Sequence, residues 1–318
     1  MGEEKIIKIA TREAYGAALA EFGEDKRIVV LDADLSKSTK TEMFKKKFPE
    51  RFINMGIAEA NMMSAAAGIA SCGKIVFASS FAIFAGVRAC EQVRNSICYP
   101  KLNVKIGATH AGISVGEDGA SHQAVEDMAI MCAIPNMTVI SPADSVETRQ
   151  AVLAAIQYDG PVYLRLGRLA VPVLFDEKDY HFELGKGVLM RKGSDVTVIA
   201  TGLMVHIAAE ACDMLKKEGI SARLINIHTV KPVDKGMILD AARETGAIVT
   251  AEEHNIYGGL GSIVSSVTAA GMPVPVKMVG IQDKFGKSGK PDRLMKMYSL
   301  TAEKIAEQAV EAIKMKRK

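Results

Sequence analysis

Short apolar runs alternate with longer helical patterns along nearly the whole chain, and this alternation restricts the fold more than any other feature. Ile28-Val29-Val30-Leu31, Ile75-Val76-Phe77-Ala78, Val104-Lys105-Ile106 and Val162-Tyr163-Leu164 read as short buried strands. Helical stretches lie between them at about 11–22, where Thr11 can cap, and at 58–71 and 84–98. A further helix reaches Gln157 and opens on Asp144 with Glu147 three residues on, a capping-box pattern. Strands separated by helices need crossover connections, so the sheet should be largely parallel and covered on both faces. From about Val171 to Ser194 the pattern fails, with Gly185, Gly187 and Gly193 among charged and aromatic residues. It resumes at Val196–Ala200, a helix to about Glu218, Ala222–Asn226 and Ile248–Ala251, and closes on Ala302–Ile313, a helix with a clean apolar stripe. The expected fold is α/β: two doubly wound units with mainly parallel sheets, over 1–172 and 195–318, joined by a linker at 173–194. A length of 318 residues suits two such units.

Forty basic against thirty-seven acidic residues leave a net charge of +3, too balanced for a nucleic-acid partner. Cys72, Cys90, Cys98, Cys132 and Cys212 show neither a Cys-x-x-Cys pair nor ligand-like spacing with histidine, so they read as thiols in a reducing compartment. Met1–Lys5 has no apolar signal region, and Ile6 does not fit a myristoylation motif. The run Ile57–Cys72 contains Glu59 and Asn61 and is too short to span a bilayer. Lys314-Met315-Lys316-Arg317-Lys318 suits a solvated terminal turn. These features lead us to expect a soluble, cytoplasmic protein with no membrane association.

The stretch Thr109–Gln123 stands apart. It sets two histidines and an acidic pair on backbone broken by Gly112, Gly116 and Gly119. Glycines at this density allow tight turns and close approach to a ligand. So many titratable groups among so few packing groups read as a site, not as core. Glu59 opens an otherwise apolar, small-residue helix. It fits a helix-start carboxylate favoured by the macrodipole, and also a buried acid that hydrogen-bonds a cofactor ring nitrogen. Phe81 and Phe84 suit either the core or a flat wall for a heteroaromatic ring. Arg12, Arg165 and Arg168 fit surface charges or partners of acids, and His110 fits a ligand contact or a satisfied buried histidine. Tyr257-Gly258-Gly259-Leu260-Gly261 is too irregular for a dinucleotide fingerprint and reads as a strand-to-helix entry.

Four motifs in order, Asp32-Ala33-Asp34-Leu35-Ser36, Gly56-Ile57-Ala58-Glu59, Gly-Glu-Asp-Gly-Ala-Ser-His-Gln at 116–123 and Ser141-Pro142-Ala143-Asp144, resemble the C-terminal half of transketolase, a thiamine diphosphate enzyme. The resemblance covers essentially the whole chain, as a pyrimidine-binding domain followed by the family's C-terminal domain. It implies transfer of a two-carbon ketol unit from a ketose phosphate to an aldose phosphate. Glu59 then matches the glutamate that bonds N1′ of the aminopyrimidine, Phe81 and Phe84 the wall for that ring, and Asp34 an acid at the cofactor interface. His122 and Asp118 match groups holding the hydroxyls beside the reacting carbon. Arg12, Ser38, His110 and Arg168 match the set gripping the distant phosphate, a task for which arginine's planar charged fork is suited.

Departures from the single-chain family matter as much. Its diphosphate site needs Gly-Asp-Gly and a downstream Asn to give Mg²⁺ oxygen ligands. Here the only similar string, Gly116-Glu117-Asp118-Gly119, belongs to the substrate loop. The resemblance therefore implies a split enzyme with no metal ligands on this chain. An N-terminal transketolase subunit would hold the diphosphate and Mg²⁺, in a heterotetramer of two chains each. Ala58, Ala60 and Asn61 flank Glu59 where Arg and His are usual, and Val87 stands where a third aromatic often completes the wall. Rival readings are a 1-deoxyxylulose-5-phosphate synthase-like enzyme, normally one chain, and a 2-oxo-acid dehydrogenase beta-subunit-like chain, where the 116–123 string is not expected. A non-catalytic assembly partner would need none of Glu59, Asp118 and His122.

Overall fold

The computed structural model describes residues 7–316, so the readings made for Met1–Ile6, Arg317 and Lys318 lie outside it. In chain order the strands are β1 (Lys8–Ala10), β2 (Ile28–Asp32), β3 (Phe52–Asn54), β4 (Ile75–Phe81), β5 (Val104–Thr109), β6 (Thr138–Ile140) and β7 (Val162–Arg165). They continue with β8 (Ala170–Pro172), β9 (Val188–Arg191), β10 (Val196–Ala200), β11 (Ala222–Asn226), β12 (Thr229–Lys231), β13 (Ile248–Asn255) and β14 (Val276–Ile281). One sheet runs β12-β6-β7-β5-β4-β2-β3, parallel except where β12 meets β6. A second runs β14-β13-β10-β11-β9, parallel except where β9 meets β11. This is the expected α/β arrangement.

The central strands are mostly apolar because helices cover both faces. Alternate residues of β2 and β4 divide accordingly. Val29, Leu31, Val76 and Ala78 pack with Met62, Met63 and Ala66 of the helix Glu59–Ser71. Ile28, Val30, Ile75 and Phe77 pack with Tyr15 and Leu19 of the helix Thr11–Phe22 and Val152 of the helix Ser145–Gln157. The second sheet is likewise clothed, by the helices Met204–Lys217 and Ala302–Lys314 on one face and Lys235–Thr245 and Leu260–Gly271 on the other.

Local chemistry departs from the sequence reading at four places. Ala10, not Thr11, is the N-cap of the first helix; Thr11 instead accepts the backbone N–H of Gly167 at 2.8 Å. The stretch 83–98 is wound as π turns at Ile83–Arg88 and Val93–Cys98 around a short α segment, a geometry concentrated at functional sites. Val188–Arg191, inside the stretch read as linker, adds β9 to the second sheet. Finally, Ile113, Ser114 and Val115 are fully buried, so the loop read as poor in packing groups is partly core. Hydrophobic periodicity could not register so short an apolar insertion between glycines.

The two units interlock: β12, from the second, extends the first sheet. Asp144 reinforces the junction. One oxygen caps the helix Ser145–Gln157 by accepting Glu147 N–H at 2.8 Å, and the other accepts Leu174 and Phe175 N–H at 2.6 and 3.0 Å. Asp144→Ala therefore orphans three backbone donors and should cost about 2–3 kcal/mol. A denaturant midpoint unmoved by this substitution, at constant m-value, would show the cap to be dispensable.

Candidate active site

The carboxyl ends of the parallel strands converge on one rim, the usual place for a ligand crevice in an open α/β sheet. Asp32 closes β2 and is fully buried. It accepts Leu35 N–H at 2.6 Å, Thr39 Oγ1–H at 2.7 Å and Thr41 Oγ1–H at 2.9 Å. Burial pushes its carboxyl pKa up, and these three donors pull it back. That network folds the loop after β2. Asp34, at φ 64°, projects into solvent, where it accepts Asn54 Nδ2–H at 2.8 Å.

Glu59 begins its helix and is only 2% exposed. Its Oε2 accepts Arg88 Nη1–H at 3.0 Å, and its Oε1 lies 3.4 Å from the hydroxyl donor Ser80, which is on β4. Arg88 is half exposed and lies over the Phe84 ring at 4.4 Å. Phe81 and Phe84 are nearly parallel, 14° apart with centroids at 6.0 Å. His110 stacks on Phe81 at 3.8 Å, and His122 meets Phe84 edge-on at 5.3 Å. Four rings thus line a wall beside one buried carboxylate.

His110 follows β5 in the left-handed region, φ 57°, which turns its ring into this wall. Its Nδ1 lies 2.9 Å from Thr109 Oγ1 and its Nε2 3.4 Å from Arg12 Nη1. Because a guanidinium can only donate, the ring proton belongs on Nδ1. Burial first, then Arg12, Arg168 and His122, push the His110 pKa down to about 3. Arg12 Nη1 also donates to the Ser38 carbonyl at 2.8 Å, while its buried Nε has no partner among the described residues. Arg168 donates to the Val115 carbonyl and lies 3.5 Å from Glu117 Oε2.

The structure thus gathers Glu59, Phe81, Phe84, His110, His122 and Arg12 into one continuous set of contacts. Ser38 joins it through its backbone oxygen. Asp118 is exposed, with no side-chain partner among the described residues, and Asp34 stands at the rim. Sequence reasoning missed Arg88, Ser80 and the bracing role of Asp32. The position of Arg88 four residues after Phe84 was a usable signal. Among the described residues no three His, Cys, Asp or Glu side chains converge as a metal site. No helix of the described residues is long and apolar enough to cross a membrane.

A buried carboxylate beside an aromatic wall, with a cationic corner at the same rim of a parallel sheet, defines an α/β protein whose crevice has the chemistry to take a heteroaromatic ring and an anion. Comparison with known proteins makes this specific. Residues 7–173 match the family model for the transketolase pyrimidine-binding domain, and 185–305 that for the transketolase C-terminal domain. A Methanocaldococcus jannaschii protein, provisionally named a transketolase C-terminal section, is 50% identical over 306 residues, 95% of this chain and 96% of that one. A 6-deoxy-6-sulfo-D-fructose transketolase subunit of Clostridium sp. is 43% identical over 315 residues, 99% of this chain and 98% of that one. A solved structure described as "Split gene transketolase, inactive beta4 tetramer" superposes with a TM-score of 0.90 at 54% identity, covering 97% of this chain and 99% of that one. The chain belongs to the transketolase family, as a C-terminal subunit.

A histidine whose pKa falls on folding resists protonation that the unfolded chain accepts. The stability linked to His110 is therefore present above the ordinary histidine value, near 6.5, and is lost as pH falls toward about 3. Nitrogen NMR should show His110 neutral with its proton on Nδ1 from pH 8 to pH 5. A midpoint near 6.5 would refute the buried, cation-flanked environment.

Proposed function

We propose that this chain carries the ring-activating and substrate-gripping half of a two-chain transketolase, transferring a two-carbon ketol unit between sugar phosphates. The carrying observation is Glu59, a carboxylate only 2% exposed that lies 3.4 Å from the Ser80 hydroxyl and pairs with Arg88, which in turn lies over the Phe84 ring. These residues fit the aminopyrimidine of thiamine diphosphate. A flat wall accepts the ring's face, and the buried acid can donate a hydrogen bond to the lone pair of a ring nitrogen. When bound, that cofactor supplies the nucleophilic carbon and the electron sink.

The remaining roles belong to the protein. Glu59 holds the proton at N1′ of the pyrimidine, and Phe81 and Phe84 orient the ring. Arg88 already pairs with Glu59 and covers Phe84, so a ring meeting both residues shares that corner with a half-exposed guanidinium. Asp34 contributes at the cofactor rim. His122 and Asp118 bond the sugar hydroxyls next to the reacting carbon. Such bonds discriminate between sugars, because an analogue lacking a hydroxyl leaves these groups without their partner.

Arg12, His110, Ser38 and Arg168 receive the far phosphate. The unpartnered Arg12 Nε supports this role, since a buried donor without an acceptor favours an anionic ligand. Neutral His110, whose Nε2 accepts from Arg12, serves there by bracing that guanidinium and not as an acid. Interactions at the distant phosphate offset the cost of orienting the reacting end.

The diphosphate and its Mg²⁺ fall to an N-terminal subunit, in an assembly of two chains each. The pyrimidine-binding and C-terminal domain matches together span 7–305, and a solved relative of one chain type is described as inactive. The cytoplasm is the compartment that suits free thiols and sugar phosphates.

With the partner present, Glu59→Gln should lower turnover by roughly 10²-fold or more while the melting temperature stays put. Undiminished turnover would remove Glu59 from the mechanism. Arg168→Ala should raise KM for phosphorylated ketoses about tenfold and spare unphosphorylated ones. Equal effects on both would take Arg168 out of the phosphate site.

A further inference from the structure

The signature loop is bound from behind by the second unit, at a carboxylate the proposed chemistry does not use. Glu253, near the end of β13, is 4% exposed, and its Oε1 accepts Ser114 N–H at 2.6 Å. Gly112, at φ 81°, lies so close that a Cβ there would collide with this carboxylate. A second tether comes from Gln123. Its Nε2 donates to the carbonyls of Ile113 at 3.2 Å, Gly116 at 3.3 Å and Lys287 at 3.0 Å, so one amide joins both arms of the loop to the second unit. Around it the surfaces touch without room for side chains. A Cβ on Gly119 would meet Ser288, and one on Gly286 would meet Gln123. Ile113 and Val125 are themselves part of the second unit's hydrophobic core.

We propose that Glu253 is a positioning residue for the substrate loop, and that the second unit serves the reaction by clamping this loop in place. The contacts have the form the task requires. Backbone N–H and C=O groups of 113–116 are held from one side, while His110 precedes the clamped segment and Asp118 and His122 follow it. A loop carrying three glycines at positive φ has little intrinsic preference for one conformation. Fixing three of its backbone groups, Ser114 N–H and the Ile113 and Gly116 carbonyls, removes the freedom that would blur Asp118 and His122. Apolar docking of Ile113 alone would set the depth of the loop but not its rotation, whereas a directional hydrogen bond at Ser114 sets both.

The kinetic side of this inference rests on the transketolase reading; the clamp itself does not. Amide exchange on the whole chain therefore tests the clamp, and assays of the two-chain assembly test its consequence. Glu253→Ala leaves Ser114 N–H without an acceptor, so exchange across 112–118 should rise about tenfold or more while the helix Glu59–Ser71 is unchanged. In the assembly the same variant should raise KM for the donor ketose phosphate several-fold at little change in thermal midpoint. Glu253→Gln keeps an acceptor oxygen and should restore both. If Glu253→Ala fails to fold, Gln123→Ala decides instead, since it cuts only the second tether and must raise exchange in the same segment.

Unaltered exchange across 112–118 would overturn the clamp. Raised exchange with an unchanged KM would overturn its role in positioning. An assembly of wild-type chains without ketol transfer would refute the functional reading and leave the exchange result standing.

Discussion

One buried cation ties the crevice together. Arg165, at the end of β7, donates from Nε and Nη2 to both oxygens of Asp127 at 2.9 to 3.2 Å, and Tyr163 O–H completes Asp127 at 2.9 Å. The same Nη2 reaches the Ala124 carbonyl at 3.3 Å and the Glu253 carbonyl at 3.0 Å. A buried ion pair offsets its desolvation only when its geometry is good and its other polar atoms are partnered. Here the pair is bidentate, and Nη2 is further partnered by two backbone carbonyls. Net stability is a weak reason to keep such a pair; defined geometry is a better one. A single guanidinium fixes the first sheet, the return of the signature loop and the strand that presents Glu253.

With that framework set, the crevice separates two kinds of chemistry. Glu59 offers a buried carboxyl group beside the aromatic wall, while Arg12 and Arg168 make a cationic corner around the stacked, neutral His110. Burial first, and then these cations, depress the pKa of His110, so the corner keeps its charge on the guanidinium groups, whose protonation does not change in water. A fixed charge suits a phosphate grip. A carboxylate, which can share a proton, suits a ring nitrogen.

How much of this was legible depended on the range of the interaction. Short apolar strands, a helix opening at Glu59 and the Asp144–Glu147 cap are local patterns, and the structure reproduces them. The second sheet's edge was not legible: Val188–Arg191 is partly exposed on an edge strand, and nothing in its composition marks it as paired. Arg165 and Arg168 stand three apart in near-identical surroundings, yet one is buried against Asp127 and the other reaches the loop at Val115 and Glu117. Only contacts 38 and more residues away distinguish them. The loop misled in the same way. Its glycines and charges announced a site, but Ile113 is core because of what packs on it from the second unit.

The arrangement also bears on why a chain of this kind can be separated from a partner. Groups proposed to meet the sugar have their supports inside this polypeptide: Arg12 on Ser38 and His110, His110 on Thr109 and Phe81, and the loop on Glu253 and Lys287. Their ordering cost is therefore met when this chain folds, and assembly need not meet it again. In the two-chain enzyme proposed above, assembly supplies the far end of the cofactor. On that proposal a break between the halves falls across the cofactor's site, while the supports of Arg12, His110 and the loop stay on this chain. A break between the first and second units of this chain would do the reverse, because it would free the loop that Glu253 holds.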